Sequence, residues 1–342
     1  MLTGGPVEPH SFGQPTLVCS RADIIRVCYE DLPDREKCVK PNAHVVNIET
    51  NDDGVRVHLQ DGSVEEGSVV VGADGVHSMT REMIQKLTGT PPTAMTTTFR
   101  GVFGKAYGME KYKDGVFYEL RGSRIMIQSF KGGDKVHFAV VKAVDQPVTE
   151  RKVYSEEEMN QFAEEIAHLH VTPDVTFAEL WANTDRDHAR LINQQEGFAE
   201  GPWHHERLVL VGDSVHKMTT ITGQGANAAL HSAAALANEL RRVTRTNPNP
   251  DTEELGQAFT RYEKARKETA KAMCAVSERI TRLGSWYTWF YWFYDLFVLN
   301  WLSTKPILER FSNLMAKGQI LDYVPFDDAK SKMPWINHVT EK

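Results

Sequence analysis

The sequence predicts an α/β fold: a core of buried, parallel-type strands with helices, a separate antiparallel β layer inserted into it, and helices at the C-terminal end. Three observations predict this. Two short aliphatic runs, Val69-Val70-Val71 and Leu208-Val209-Leu210-Val211, each lead into a glycine and an acid, as strands buried on both faces do at their carboxyl ends. Between them, residues 95–142 alternate β-branched and aromatic residues with polar ones, the pattern of an antiparallel sheet. Beyond the second run, residues 225–242 and 252–283 read as two long helices.

In chain order, a loop rich in Gly and Pro comes first. Residues 21–31 then place Ile24, Ile25 and Cys28 on one helical face. Three extended stretches follow at 43–50, 54–60 and 64–71, with Asp53-Gly54 and Asp61-Gly62 marking the turns. The third ends in Val69–Val71, passes through Gly72-Ala73-Asp74-Gly75 and enters a helix near 78–87. After the antiparallel layer, Ser155 and Glu158 form a capping-box signal for a helix over 155–168. The strand at 207–212 runs into a long loop and the helix of 225–242, whose basic end, Arg241 to Arg245, suits the negative pole of a helix. The expected units are 1–90 with 185–283 as one domain, 91–184 as the antiparallel-sheet domain, and 284–342 as an aromatic-rich helical segment.

Composition narrows the functional classes. With 41% hydrophobic and 25% charged residues, the chain of 342 residues reads as globular and long enough for a sizeable core. A formal net charge of -7 gives no general attraction for nucleic acid or anionic lipid. The four cysteines (Cys19, Cys28, Cys38, Cys274) form no CxxC pair and read as reduced thiols, and no metal is expected. An intracellular protein follows, cytoplasmic or membrane-associated. The second alternative rests on 286–302, which is dense in Trp, Tyr and Phe: it reads either as a helix packed on the body or as a peripheral membrane contact.

Two motifs carry the chemistry. In the first, Gly72-Ala73-Asp74-Gly75 followed by Ser78 and Arg81, glycines let a ligand approach the backbone and Asp74 stands at the strand end. Its plain alternative is a strand-to-helix turn capped by Asp74 or Ser78. In the second, Gly212-Asp213 is followed by His216 and by Gly223-Gln224-Gly225-Ala226-Asn227 opening a helix. Asp213 can accept hydrogen bonds from hydroxyls of a sugar-like chain, and the glycine turn offers free N–H groups at a helix N-terminus, where negative charge is stabilised. Gly223-x-Gly225-x-x-Ala228 matches the dinucleotide expression, but about ten loop residues separate it from its strand, so it is not a Rossmann fingerprint.

Taken together, these motifs resemble the "DG" and "GD" motifs of the FAD-dependent aromatic-hydroxylase-type (group A) monooxygenases, over about residues 15–325. Ser20-Arg21-Ala22-Asp23-Ile24-Ile25-Arg26 is similar to the helix whose leading Arg meets the flavin's ribityl and phosphate region, and the aromatic tail resembles fungal members acting on meroterpenoids and indole diterpenes. The resemblance implies a hydroxylase-type FAD-binding domain and FAD held by Arg21, Asp74, Asp213, Gly223, Gly225, Ala226 and Asn227. It also implies NAD(P)H as electron donor and transfer of oxygen to a terpenoid or aromatic small molecule. Tyr118 and Arg121, on the antiparallel sheet, are the catalytic candidates, polar groups of the substrate cavity that could steer an epoxide or enol product, against a structural Tyr and a solvent Arg as the plainer reading.

The pattern also departs from the family. No strand, G-x-G-x-x-G and helix precede Arg21, so the Rossmann-like domain reads as incomplete and the strands at 69–72 and 208–212 are expected to lack a central partner. Thr220 stands where the family usually has Pro, and His231-Ser232 where it has an acid pair. Three explanations compete: a true start upstream, which is preferred; a pseudo-monooxygenase turned to cofactor-free cyclisation or isomerisation; and an inactive binding protein.

Overall fold

The computed structural model describes residues 1–6, 21–301 and 305–325. Of the residues singled out above, Cys19, Ser20 and Leu302 lie outside these ranges. The opening residues, read as a loop, instead form strand β1 (Leu2–Pro6), which pairs antiparallel with residues 116–120. Helix α1 (Arg21–Glu30) forms where the apolar spacing predicts it, followed by the short α2 (Arg35–Cys38). None of the α1 residues is buried, and Ile25 is 62% exposed.

β2 (Val45–Thr50), β3 (Val55–Leu59) and β4 (Val64–Gly67) make a small antiparallel sheet. The Asn51 and Asp61 side chains hold its two turns by accepting from the backbone N–H groups of Gly54 and Ser63. The stretch read as one strand over 64–71 is in fact two, because β5 (Val70–Gly72) belongs to a different sheet. Arg207, 5% exposed, donates to the carbonyls of Ser68 and Asp52 and so pins the break between them. Helix α3 (Met79–Thr88) follows, capped by Ser78.

The alternation read at 95–142 becomes β6 (Thr96–Tyr107), β7 (Val116–Gly122), β8 (Ile125–Gly132) and β9 (Lys135–Val148). α4 (Glu156–Glu165) carries the expected Ser155–Glu158 capping box. β10 (His170–Thr172), β11 (Val175–Thr176), α5 (Phe177–Ala182), β12 (Arg190–Phe198), β13 (His204–His205), β14 (Leu208–Leu210) and β15 (His216–Lys217) lead to the long helices α6 (Gln224–Thr246) and α7 (Thr252–Ser285). α8 (Trp289–Phe293) continues through a π turn, 294–298, and a 3-10 turn, 299–301; α9 (Lys305–Met315) is the last helix described.

The large sheet runs β1-β7-β8-β9-β6-β12-β15. One face packs Val102, Ile127, Phe138 and Val140 against Phe162 of α4 and Phe177 and Leu180 of α5. The opposite face turns Phe99, Met126 and Val141 toward Ile221, just before α6, and Tyr287, just after α7. A second core gathers β14 with Trp203, Phe259 and Tyr262; each fully buried side chain of this size contributes about 1.5–3 kcal/mol.

The parallel sheet corrects the expectation that its strands lack partners. β5 and β14 pair with each other, Leu208 with Val70, Val209 with Val71 and Leu210 with Gly72. Among the described residues the sheet is β13-β14-β5, so β5 is an edge strand. Val71 is accordingly 44% exposed, and Val69–Val71 is not buried on both faces as its composition suggests.

Candidate functional site

Parallel pairing brings the two motifs together. Because Leu210 is registered with Gly72, the loops leaving β5 and β14 start about one strand spacing apart (~4.8 Å). Gly72 allows this closeness, since a Cβ there would stand 2.7 Å from the Thr80 side chain and 2.8 Å from Leu210. The loops are locked to each other: Ser214 Oγ donates to the Gly72 carbonyl at 2.9 Å, and buried Arg81 donates to the carbonyls of Ser214 (2.7 Å) and Val76 (2.8 Å). Burial lowers the pKa of Arg81, yet the two carbonyls give its guanidinium fixed acceptors.

Asp74 braces the first loop. Its carboxylate accepts from the Ser78 hydroxyl and from both the N–H and the hydroxyl of Thr80, the latter two at 3.0 Å. The capping role weighed for this residue is thus what its oxygens do, and it fixes the turn at the end of β5.

Asp213 is placed differently. It follows Gly212, whose positive φ of 68° turns the chain sharply after β14. One carboxylate oxygen accepts from Lys217 Nζ at 2.7 Å, and the other faces Gly225, where a Cβ would lie 3.9 Å away. Gly223 is the left-handed N-cap of α6 at φ 64°; no side chain caps this helix, and a Cβ on Gly223 would meet nothing within 4 Å. The positive end of a 23-residue helix therefore opens beside Asp213 onto free space. Ala226 and Asn227 are exposed there, with Asn227 Nδ2 donating to the Gly223 carbonyl at 3.3 Å.

The loop before α6 is held from behind. The Thr220 N–H and hydroxyl both donate to Gln194 Oε1, at 3.2 and 2.8 Å. Thr219, Thr222, Ser277 and Thr281 form a hydroxyl cluster that ties this loop to α7, with Thr219 to Thr281 at 2.6 Å. His216, read as either a base or a brace, is fully buried and hydrogen-bonded to Ser232 at 2.9 Å. Burial, and then the charge of Arg266, hold its pKa at about 4, so it is a neutral brace at pH 7.

The other sequence candidates lie elsewhere. Arg21 heads the exposed α1, and no described hydrogen bond joins it to Asp74 or Asp213. Tyr118 and Arg121 point to opposite faces of β7. Tyr118 is buried on the α4 and α5 side, edge-on to Tyr112. Arg121 lies on the other side, ion-paired with Glu119 and with buried Asp295. Sequence reasoning missed Lys217, Gln194 and Arg266. Of these only Lys217, four residues after Asp213, left a signal in the spacing.

These residues fit the flavin half of FAD. Asp213 can take ribityl hydroxyls, the bare glycines at 223 and 225 admit a flat ring, and the α6 terminus suits the anionic pyrimidine edge of a reduced flavin. Among the described residues no G-x-G-x-x-G turn joins a strand to a helix.

Known proteins agree with this geometry. Residues 6–277 match the FAD binding domain family. The chain is 37% identical to the FAD-dependent monooxygenase srdH of Neurospora crassa, over 96% of this chain and 78% of that protein. It is 31% identical to the FAD-dependent monooxygenase janM of Penicillium janthinellum, over 92% of this chain and 66% of that one. In fold it is similar to a variant of Klebsiella pneumoniae HpxO solved with FAD, at a TM-score of 0.70 and 18% identity, covering 87% of this chain and 74% of that one. With its motifs in adjacent loops and the family match spanning most of its length, the chain belongs to the FAD binding domain family, in its FAD-dependent monooxygenase branch.

Proposed function

We propose that this protein transfers oxygen, by epoxidation or hydroxylation, to a prenylated or polycyclic natural product, with NAD(P)H as electron donor. The observation that carries the reading is Asp213, held between Lys217 and the open glycine terminus of α6, in the loop beside the one that Asp74 braces. FAD, when bound and reduced by NAD(P)H, would supply the two electrons that activate dioxygen, one atom of which goes to the substrate while the other leaves as water. Asp213 accepts hydroxyls of the ribityl chain, the α6 terminus from Gly223 to Asn227 stabilises negative charge, and Arg21 is assigned to the phosphate side.

An apolar substrate is supported by the surface next to Thr220. Phe99, Phe103, Met126 and Tyr287 pack with Ile221 into an apolar cluster where the antiparallel sheet meets the loop before α6, and a substrate lying along that boundary would be a hydrocarbon ring or alkene. Of the two substrate-side residues read from the sequence, Arg121 shares this face and Tyr118 does not, so the proposal retains Arg121. In domain terms, 1–90 with 185–283 holds the cofactor, 91–184 contributes the substrate wall, and 284–342 is a helical annex.

Purified protein incubated with FAD should keep a yellow flavin spectrum through gel filtration, and should consume NADPH and dioxygen when a prenylated phenol or indole is added. The reading fails if no flavin is retained, or if an Asp213→Ala variant retains as much as the parent.

The aromatic annex supports shallow membrane contact. No helix among the described residues is long and apolar enough to cross a membrane. Between Arg282 and Lys305 the only charge is Asp295, which is turned inward to Arg121, while Trp289, Phe293 and Trp301 are exposed. Co-sedimentation with phosphatidylcholine vesicles, weakened by a Trp289→Ser and Phe293→Ser pair, is the expected result; equal partition of both proteins would remove the idea.

A further inference from the structure

Arg266 is fully buried in α7, against the inner side of α6. Its Nε donates to Ser232 Oγ at 3.3 Å and one Nη to the Ala228 carbonyl at 3.4 Å, while the other Nη has no partner. Among the described residues no carboxylate pairs with it. Its other titratable neighbours are His216, which is neutral and hydrogen-bonded to the same Ser232, His231, whose pKa burial lowers and whose Nδ1 is hydrogen-bonded to the Gln319 carbonyl, and Tyr262, whose hydroxyl donates to the Leu210 carbonyl. A buried guanidinium is normally accompanied by a carboxylate, because an unpaired charge in a poor dielectric is expensive. Here a serine occupies the position that faces it. Burial lowers the pKa of Arg266 only to about 10, so it keeps its charge at neutral pH.

The placement of this charge matters. Ala228 is the fifth residue of α6 and its carbonyl points toward Ser232, so the guanidinium sits about two turns (~10 Å along the axis) behind the helix end that opens beside Asp213. Helix terminus and guanidinium are both positive, and the protein interior between them screens weakly.

We propose that Arg266 is an electrostatic positioning residue of the flavin groove: its charge, left without a carboxylate by Ser232, adds to the positive end of α6 and selects for the state of the flavin that carries negative charge on its pyrimidine edge. The inference rests on the flavin reading above and deepens it, assigning a role to a residue that does not touch the cofactor.

The test compares Ser232→Asp with Ser232→Asn in the FAD-loaded protein. The two variants have nearly the same shape and differ in charge, so a purely structural role would affect them alike. The probe is sulfite, which adds reversibly to an oxidised flavin and leaves negative charge on the pyrimidine edge. Ser232→Asn should bind sulfite within about twofold of the parent, and Ser232→Asp about tenfold more weakly, with a lower flavin midpoint potential. Should Ser232→Asp fail to fold, Arg266→Met read against Arg266→Lys gives the same comparison. Equal sulfite affinities and potentials within the pair that is read overturn the proposal while leaving flavin binding intact. A parent protein that takes up no FAD overturns both this proposal and the functional reading beneath it.

Discussion

His216 shows what a single residue contributes. It is enclosed by Trp203 and Ser232, and burial depresses its pKa to about 4 from an ordinary value near 6.5. The unfolded chain therefore binds a proton in the window between about 6.5 and 4 that the folded chain refuses. The stabilisation is complete above pH 6.5 and is lost as pH falls toward 4, up to about 3 kcal/mol. Urea denaturation should show this acid slope in the parent and a flatter one in His216→Gln; matching slopes would assign the acid sensitivity to other groups. Asp74 and Asp213 were legible in the sequence because each follows an aliphatic run and a glycine. The spacing of Lys217 hinted at one partner, but which carboxylate braces and which faces a ligand was not legible, because the two motifs look alike until their oxygens are located. Arg266 left no trace at all, since its significance lies in what faces it across two helices.

At the level of elements, helices were read best. The cap at Ser155 and the helical stretches that became α3, α6 and α7 are local properties, and the structure reproduces them. The break between β4 and β5 was not legible, because Arg207 imposes it from far along the chain. The aromatic segment is a similar case: composition gave its helicity and apolar character, while its attachment is tertiary. Asp295 accepts from Arg121 at 3.0 Å and from Trp286 Nε1 at 2.8 Å, and the Trp286 ring sits over Gly122, where a Cβ would be 2.7 Å from it. Asp295→Ala should leave Arg121 with one carboxylate and Trp286 Nε1 with none, costing about 2–4 kcal/mol. Chymotrypsin should then cleave within 286–301 well before the rest of the chain; unchanged digestion would mean the apolar packing alone holds the segment.

Across the whole molecule, two cores meet at the loop from Thr219 to Gly223, with the β5–β14 pair and α7 on one side and the antiparallel sheet on the other. A ligand bound to that loop ties both cores to one folding transition. FAD at about 100 times its Kd should stabilise the fold by about 2.7 kcal/mol, seen as a raised Tm, and Asp213→Ala should abolish the shift. A shift that survives in Asp213→Ala would move the binding site away from the α6 terminus. By itself the sequence determined the main helices, the antiparallel layer, the two acid-bearing strand ends and the family to which they belong, because these follow from periodicity, glycine spacing and short-range capping. Only the tertiary structure decided that the two strands pair directly, that Asp74 braces while Asp213 stays by the groove, and that Arg266 lies uncompensated behind α6. Those outcomes depend on which distant groups share a small volume of low dielectric, and spacing along a chain does not encode that.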